Sequence, residues 1–155
     1  MIRPTLALLL LATPAFAGGP AWEYMVAETE PGIRMFGAIG ACVNAVATPA
    51  DVTPVLAHAG WQEVDEYDGN TSFQTASASM MYADDGGFCM VETSDFNTET
   101  LTAFLVAFDI TPSGTDADGC TQFLIESTTA TLTSGGNDPV CTSDTEATLR
   151  FEPTP

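Results

Sequence analysis

The sequence predicts an α+β domain. We expect an antiparallel sheet of about four to five strands, two to three helices packed on one of its faces, and two disulfides. Three observations point there. Apolar residues recur at helical spacing in two segments, around 32–47 and 101–108. Residues 145–152 alternate strictly between apolar and polar. Four widely spaced cysteines sit in a chain that begins like an exported one.

The start of the chain is the first element. Arg3 precedes the apolar run Leu6–Ala12, Thr13-Pro14 breaks the run, and Ala15-Phe16-Ala17 follows. Small residues at 15 and 17 suit a signal peptidase, so residues 1–17 read as a signal peptide cut before Gly18. The run is shorter than the roughly 20 residues that cross a bilayer. Residues 18–155 then form one domain, in the periplasm or outside the cell.

Residues 18–31 read as an irregular lead-in. Ile33, Phe36, Ile39, Val43 and Val46 share one helical face, which predicts a helix over 32–47 with Cys42 beside its apolar stripe. Gly37 and Gly40 weaken it by up to ~1 kcal/mol each relative to alanine and suggest close packing on a sheet. Thr53-Pro54 resembles an N-cap followed by proline at the first helical position, opening a short helix that Gly60 ends. Trp61 to Tyr67 reads as a strand and Asp68-Gly69-Asn70 as a turn. Ser72 to Ala83 and Phe88 to Glu92 flank Asp84-Asp85-Gly86-Gly87, a hairpin signal. Asn97 or Ser94 caps a helix whose stripe is Leu101, Phe104, Leu105 and Phe108. Residues 112–119 read as a loop, Thr121 to Thr133 as a strand dense in β-branched residues, and 135–139 as a loop. In 145–152, Ala147, Leu149 and Phe151 face inward and Glu146, Thr148, Arg150 and Glu152 face water.

Cys42, Cys89, Cys120 and Cys141 contain no C-x-x-C pair, so structural disulfides are expected rather than a zinc or redox site. A helix lying on the sheet would bring Cys42 to Cys89, leaving Cys120 for Cys141. The second pairing has a difficulty. A single straight strand over 121–133 would hold its ends about 40 Å apart at ~3.3 Å per residue. Either 134–144 folds back, or the strand breaks near Ser127-Thr128, or the pairing differs.

Charge restricts the partners. There are 21 acidic residues, three arginines and no lysine, for a formal net charge of −18. Removal of Arg3 makes the domain more negative still. Nucleic acid is not an expected partner, since phosphates would be repelled. A basic protein is the partner class that fits. No membrane span is expected, and the oligomeric state is open.

No residue set names a catalyst, a cofactor or a metal. His58, the single histidine, lies among Ala and Leu without a companion motif. Asp116-Ala117-Asp118-Gly119 resembles a calcium loop. However, placing Gly119 at the sixth position leaves Gly114 and Ile125 where the end ligands belong. Asp84 and Asp85 are explained by their turn, and the acidic run Asp65, Glu66 and Asp68 by composition. Trp61, beside Gly60, is a core candidate. Trp22, in the Gly/Pro-rich lead-in near Tyr24, is the candidate binding anchor. The expectation is a non-enzymatic exported binding, accessory or inhibitor protein. The alternatives are a small secreted hydrolase using carboxylates and a weak divalent-cation binder.

Overall fold

The computed structural model describes residues 21–135 and 140–155, and of residues 65–67 the backbone alone. The proposed signal peptide and its cut lie outside the described residues. Among the described residues four helices, α1 (Ala21–Met25), α2 (Pro31–Ala47), α3 (Pro49–His58) and α4 (Thr98–Ala107), accompany eight strands. The strands are β1 (Gln62–Tyr67), β2 (Asn70–Gln74), β3 (Ala78–Ala83), β4 (Cys89–Thr93), β5 (Pro112–Thr115), β6 (Thr121–Ile125), β7 (Thr128–Thr133) and β8 (Ala147–Pro153). They form one sheet of order β1-β2-β3-β4-β8-β7-β6-β5, with every described pair antiparallel. The class is α+β with two disulfides, but the sheet has eight strands, not four or five, and the helix count and packing differ from expectation.

Local chemistry explains the extra strands. Residues 121–133 are not one strand, because Glu126 turns with φ 55° and starts a hairpin in which Ile125 faces Thr128. Residues 72–83 are divided by a hydroxyl turn, where Thr75 Oγ1 accepts from the Ser77 and Ala78 amides. Pro112–Thr115, expected as loop, pairs with β6 as a short exposed edge strand. Its proline and its register irregularity suit an edge, where one row of amides needs no partner. Asp68 (φ 54°) and Gly69 (φ 81°) make the tight turn between β1 and β2, since that turn requires positive φ at both central residues.

The register sets the core. Phe73, Met80, Val91, Leu149 and Leu132 lie abreast on five strands, and Tyr82, Cys89, Phe151, Ala130 and Phe123 form the next row. All ten are buried. Helix α2 covers this face over β3, β4 and β8, α4 lies against β8, and α3 against β1. Trp61 is buried and donates its indole N–H to the Val26 carbonyl at 3.0 Å. On the opposite face Ser72, Met81, Met90, Arg150, Thr131 and Gln122 form a half-buried row.

Helix packing differs most at the N-terminal end. The lead-in expected to be irregular contains α1, and α1 lies on α2 rather than on the sheet. A Cβ at Gly37 would stand 2.2 Å from the Val26 nitrogen, and one at Gly40 would stand 2.5 Å from Trp22 Cβ. The two glycines therefore seat α1, not a strand. Helix α3 begins at Pro49, five residues before the expected first helical position Pro54, and Thr53 is interior to it. The Thr53 hydroxyl instead meets the Tyr82 phenol at 2.7 Å. Asn97, not Ser94, caps α4, with a reciprocal bond through Thr100.

Disulfides join Cys42 to Cys89 and Cys120 to Cys141. The first ties α2 to β4 within the core, where both cysteines are fully buried. The Gly87 amide, in the β3–β4 turn, donates to the Val46 carbonyl at the end of α2, a second tie between the same elements. The Glu126 turn dissolves the length difficulty of the other bridge. It returns β7 along β6, so Cys120 and the chain after β7 lie at one end of the sheet.

Candidate functional site

Three surface features carry side chains that could act. The first is aromatic. Helix α4 turns Leu101 and Leu105 into the core and Phe104 and Phe108 to its flank, toward α2. Phe36 of α2 meets Phe104 at 4.8 Å and Phe108 at 4.4 Å between ring centroids. Phe96 extends the cluster, 5.0 Å from Phe104. Its outer part is open to water: Phe108 is 51% exposed. The position of Phe108 follows from the helix end, since α4 stops at Ala107 and Asp109 adopts φ 63° to redirect the chain.

Acid borders this patch. The Glu30 carboxylate accepts the Ile33 amide at 2.7 Å, capping α2, and lies with the Phe104 ring against Gly32. Asp109 follows Phe108 directly. Asp95, next to Phe96, binds Arg34 at 2.7 Å, and Ser77 donates to the same oxygen. The arginine of this region is thus already engaged.

The second feature is a groove of about 620 Å³ between the α1 region and α3. Glu23, Tyr24, Ala27 and Glu28 line one side, and Pro54, Val55, His58 and Ala59 the other. Tyr24 is 73% exposed. Trp22, the expected anchor, is half-buried, with its Cβ over Gly40. The solvent-facing aromatic of the lead-in is therefore Tyr24. The contrast is set by α1: residues two apart on a helix point in different directions, a relation that an irregular segment does not impose. His58 sits exposed at the end of α3, beside Tyr24 in this groove and apart from the aromatic patch.

The third feature is a polar depression of about 210 Å³ on the other sheet face, lined by hydroxyl residues with Glu92 and Glu146. Both carboxylates approach one point, the position a Cβ on Gly135 would take, at 3.4 and 3.1 Å. The Thr148 hydroxyl donates to Glu92 at 3.4 Å. Thr133, paired across the strands with Thr148, keeps a buried hydroxyl without a hydrogen bond among the described residues. Such a pair can hold a cation or polarise a water. Among the described residues no three His, Cys, Asp or Glu side chains converge on a metal position. The Asp116 loop has a different use: its carboxylate accepts the amides of Asp118 at 3.0 Å and Cys120 at 2.8 Å. Asp84 likewise accepts the Thr71 hydroxyl, at 2.7 Å.

No family model, curated protein or solved structure matches this chain. Its function must be argued from these surfaces. Sequence periodicity located Phe104 and Phe108 but assigned them to the same stripe as Leu101 and Leu105. Glu92 and Glu146 carried no sequence signal, because β8 is brought beside β4 only by the sheet order. No described helix is long and apolar enough to cross a membrane.

Proposed function

We propose that this is a non-enzymatic exported binding protein, an accessory or inhibitor protein that acts by contact with a basic partner through the Phe36–Phe104–Phe108 patch. The observation that carries the reading is Phe108, half-exposed on a four-ring cluster in a chain of net charge −18. Exposed apolar clusters with polar rims are characteristic of interaction sites. Aromatic anchors dominate binding energies, and acidic rims steer basic partners and exclude acidic ones. The apolar run at 6–12, the A-x-A end and the two disulfides support export.

The test is crosslinking from a photoreactive residue at position 108, followed by identification of the captured protein and affinity measurement with the purified pair. The expected partner is basic, its on-rate falls steeply with salt, and Phe108→Ser weakens binding by at least about tenfold. Folding stability should change by less than about 1 kcal/mol, since the ring is half in water already. An acidic partner, or one bound equally by Phe108→Ser, refutes the reading.

A second reading rests on Glu92 and Glu146. Their approach to one point fits a carboxylate-dependent hydrolase or a weak divalent-cation site. It requires hydrolysis of a glycoside or ester panel, or saturable calcium binding by calorimetry, that Glu92→Gln removes. Wild-type protein inactive in both assays ends it.

A further inference from the structure

The groove beside α1 has a chemistry of its own. Gly37 and Gly40 draw one side of α1 onto α2, so Glu23 and Tyr24, with Ala27 and Glu28 of the following turn, face α3 across an open channel. Pro54, Val55 and Ala59 provide methyl and methylene surface on the far side, with His58 at the end of the helix. Two carboxylates, an exposed phenol ring and an apolar wall are the complement of one side-chain type. They match a cation carried on an aliphatic stem. Neither Arg34 nor Arg150 lines the channel, so no described guanidinium competes for it.

We propose that this groove receives an arginine side chain of a basic protein partner. The methylene stem lies on Val55 and Pro54, the guanidinium plane stacks on Tyr24, and its N–H fork reaches Glu23 or Glu28. Arginine fits better than lysine because a planar, weakly hydrated fork can stack on a ring and bind a carboxylate together. Lysine, a compact and strongly hydrated point charge, does only the second. The chain's net charge of −18 raises the local concentration of any such basic segment before contact. This inference rests on the reading of the protein as a binder of basic partners. It names a second contact, separate from the aromatic patch, and the chemistry that fills it.

The probe is a hexa-arginine peptide, titrated into the isotopically labelled protein at 150 mM NaCl and followed by NMR. Saturable shifts are expected at Tyr24, Val55 and His58. The double variant Glu23→Gln/Glu28→Gln should weaken binding by about tenfold, an effect of ~1.4 kcal/mol. A remote pair with the same charge change, Glu126→Gln/Glu152→Gln, should weaken it less than about threefold. Tyr24→Phe should bind like wild type and Tyr24→Ala about fivefold more weakly, within the range of an exposed cation–π contact. Equal losses from the two charge pairs, or shifts spread evenly over the acidic surface, overturn the proposal. So does hexa-lysine or tetramethylammonium binding as tightly as hexa-arginine. Phe108→Ser should leave this titration unchanged, so failure here and failure of the aromatic patch are read separately.

Discussion

The two halves of the sheet bury the same kind of face by different means. On the N-terminal side, β1–β4 follow three helices, and α2 is bonded through Cys42 to Cys89 in the middle of the core. On the C-terminal side, β5–β8 have the single helix α4 before them, and their cystine joins the start of β6 to the chain after β7. Cys42, Cys89 and Cys120 are buried, whereas Cys141 is partly exposed. One bridge fastens two layers together and the other fastens a connection to its own sheet. The candidate surfaces divide differently: the patch, shared between α2 and α4, and the groove are both built by helices, where side chains stand off the sheet and leave channels between cylinders. Strands laid edge to edge leave a polar depression at Glu92.

Removing each bridge tests this contrast and has the largest expected effects. Cys42→Ala/Cys89→Ala opens a loop with a sequence separation of 47 and should cost roughly 4 kcal/mol in the chain-entropy model. The loss should appear as reduced hydrogen-exchange protection across α2, β3, β4 and β8 together. Cys120→Ala/Cys141→Ala opens a separation of 21 and should cost roughly 3 kcal/mol. There the loss of protection should stay within β5–β7 and the chain after β7. Global exposure from the second pair, or local exposure from the first, would remove the distinction between the bridges.

Gly37→Ala sharpens the account of the helical side. The new methyl would collide with the Val26 backbone, so α1 must move, at a cost of about 1–3 kcal/mol. Indole fluorescence should report the change at Trp22 and at the Trp61–Val26 bond. A variant as stable as wild type would show that α1 does not depend on its glycine seat.

The smallest effect concerns Tyr82. Burial pushes its phenol above the ordinary value of 10.0. The Thr53 hydrogen bond opposes the rise, and the charges of Glu63 and Asp84 add to it. The fold thus favours the neutral phenol. The corresponding stability is complete below pH 10 and declines as pH rises through the folded-state value. Thermal unfolding should therefore give a melting temperature that drops above pH 10 in wild type and drops less in Tyr82→Phe. At neutral pH that substitution costs about 1 kcal/mol for the lost Thr53 bond. Equal alkaline slopes in the two proteins would contradict this.

Periodicity made part of the fold legible. Helical spacing in α2 and α4 and alternation in β8 marked these segments, and Asp68-Gly69 has the backbone freedom its turn needs. The buried faces differ from the expected stripes, however: Ile33 and Phe108 are exposed, Val43 and Val46 half-buried, and Met35, Ala38, Cys42 and Thr148 buried. Other elements were hidden for physical reasons. Glu126 carries no composition signal for a turn, and its positive φ is imposed by the pairing of Ile125 with Thr128. Pro112–Thr115 becomes a strand only because β6 offers an edge. The five residues of α1 are too short to form a helix unaided, and they hold their shape against Gly37 and Gly40.

Residue types and spacings by themselves determined the α+β class, the two main helices, the acidity of the chain, and the presence of cysteines for two bridges. These follow from local propensity, hydrophobic period and charge, which do not depend on neighbours distant in the chain. Tertiary structure alone decided that β8 enters between β4 and β7, that Glu92 meets Glu146, that Trp22 turns inward while Tyr24 faces solvent, and that Phe108 is left half in water. Each of these depends on which surfaces compete to cover the same apolar area, and that competition is resolved only when the whole chain packs at once.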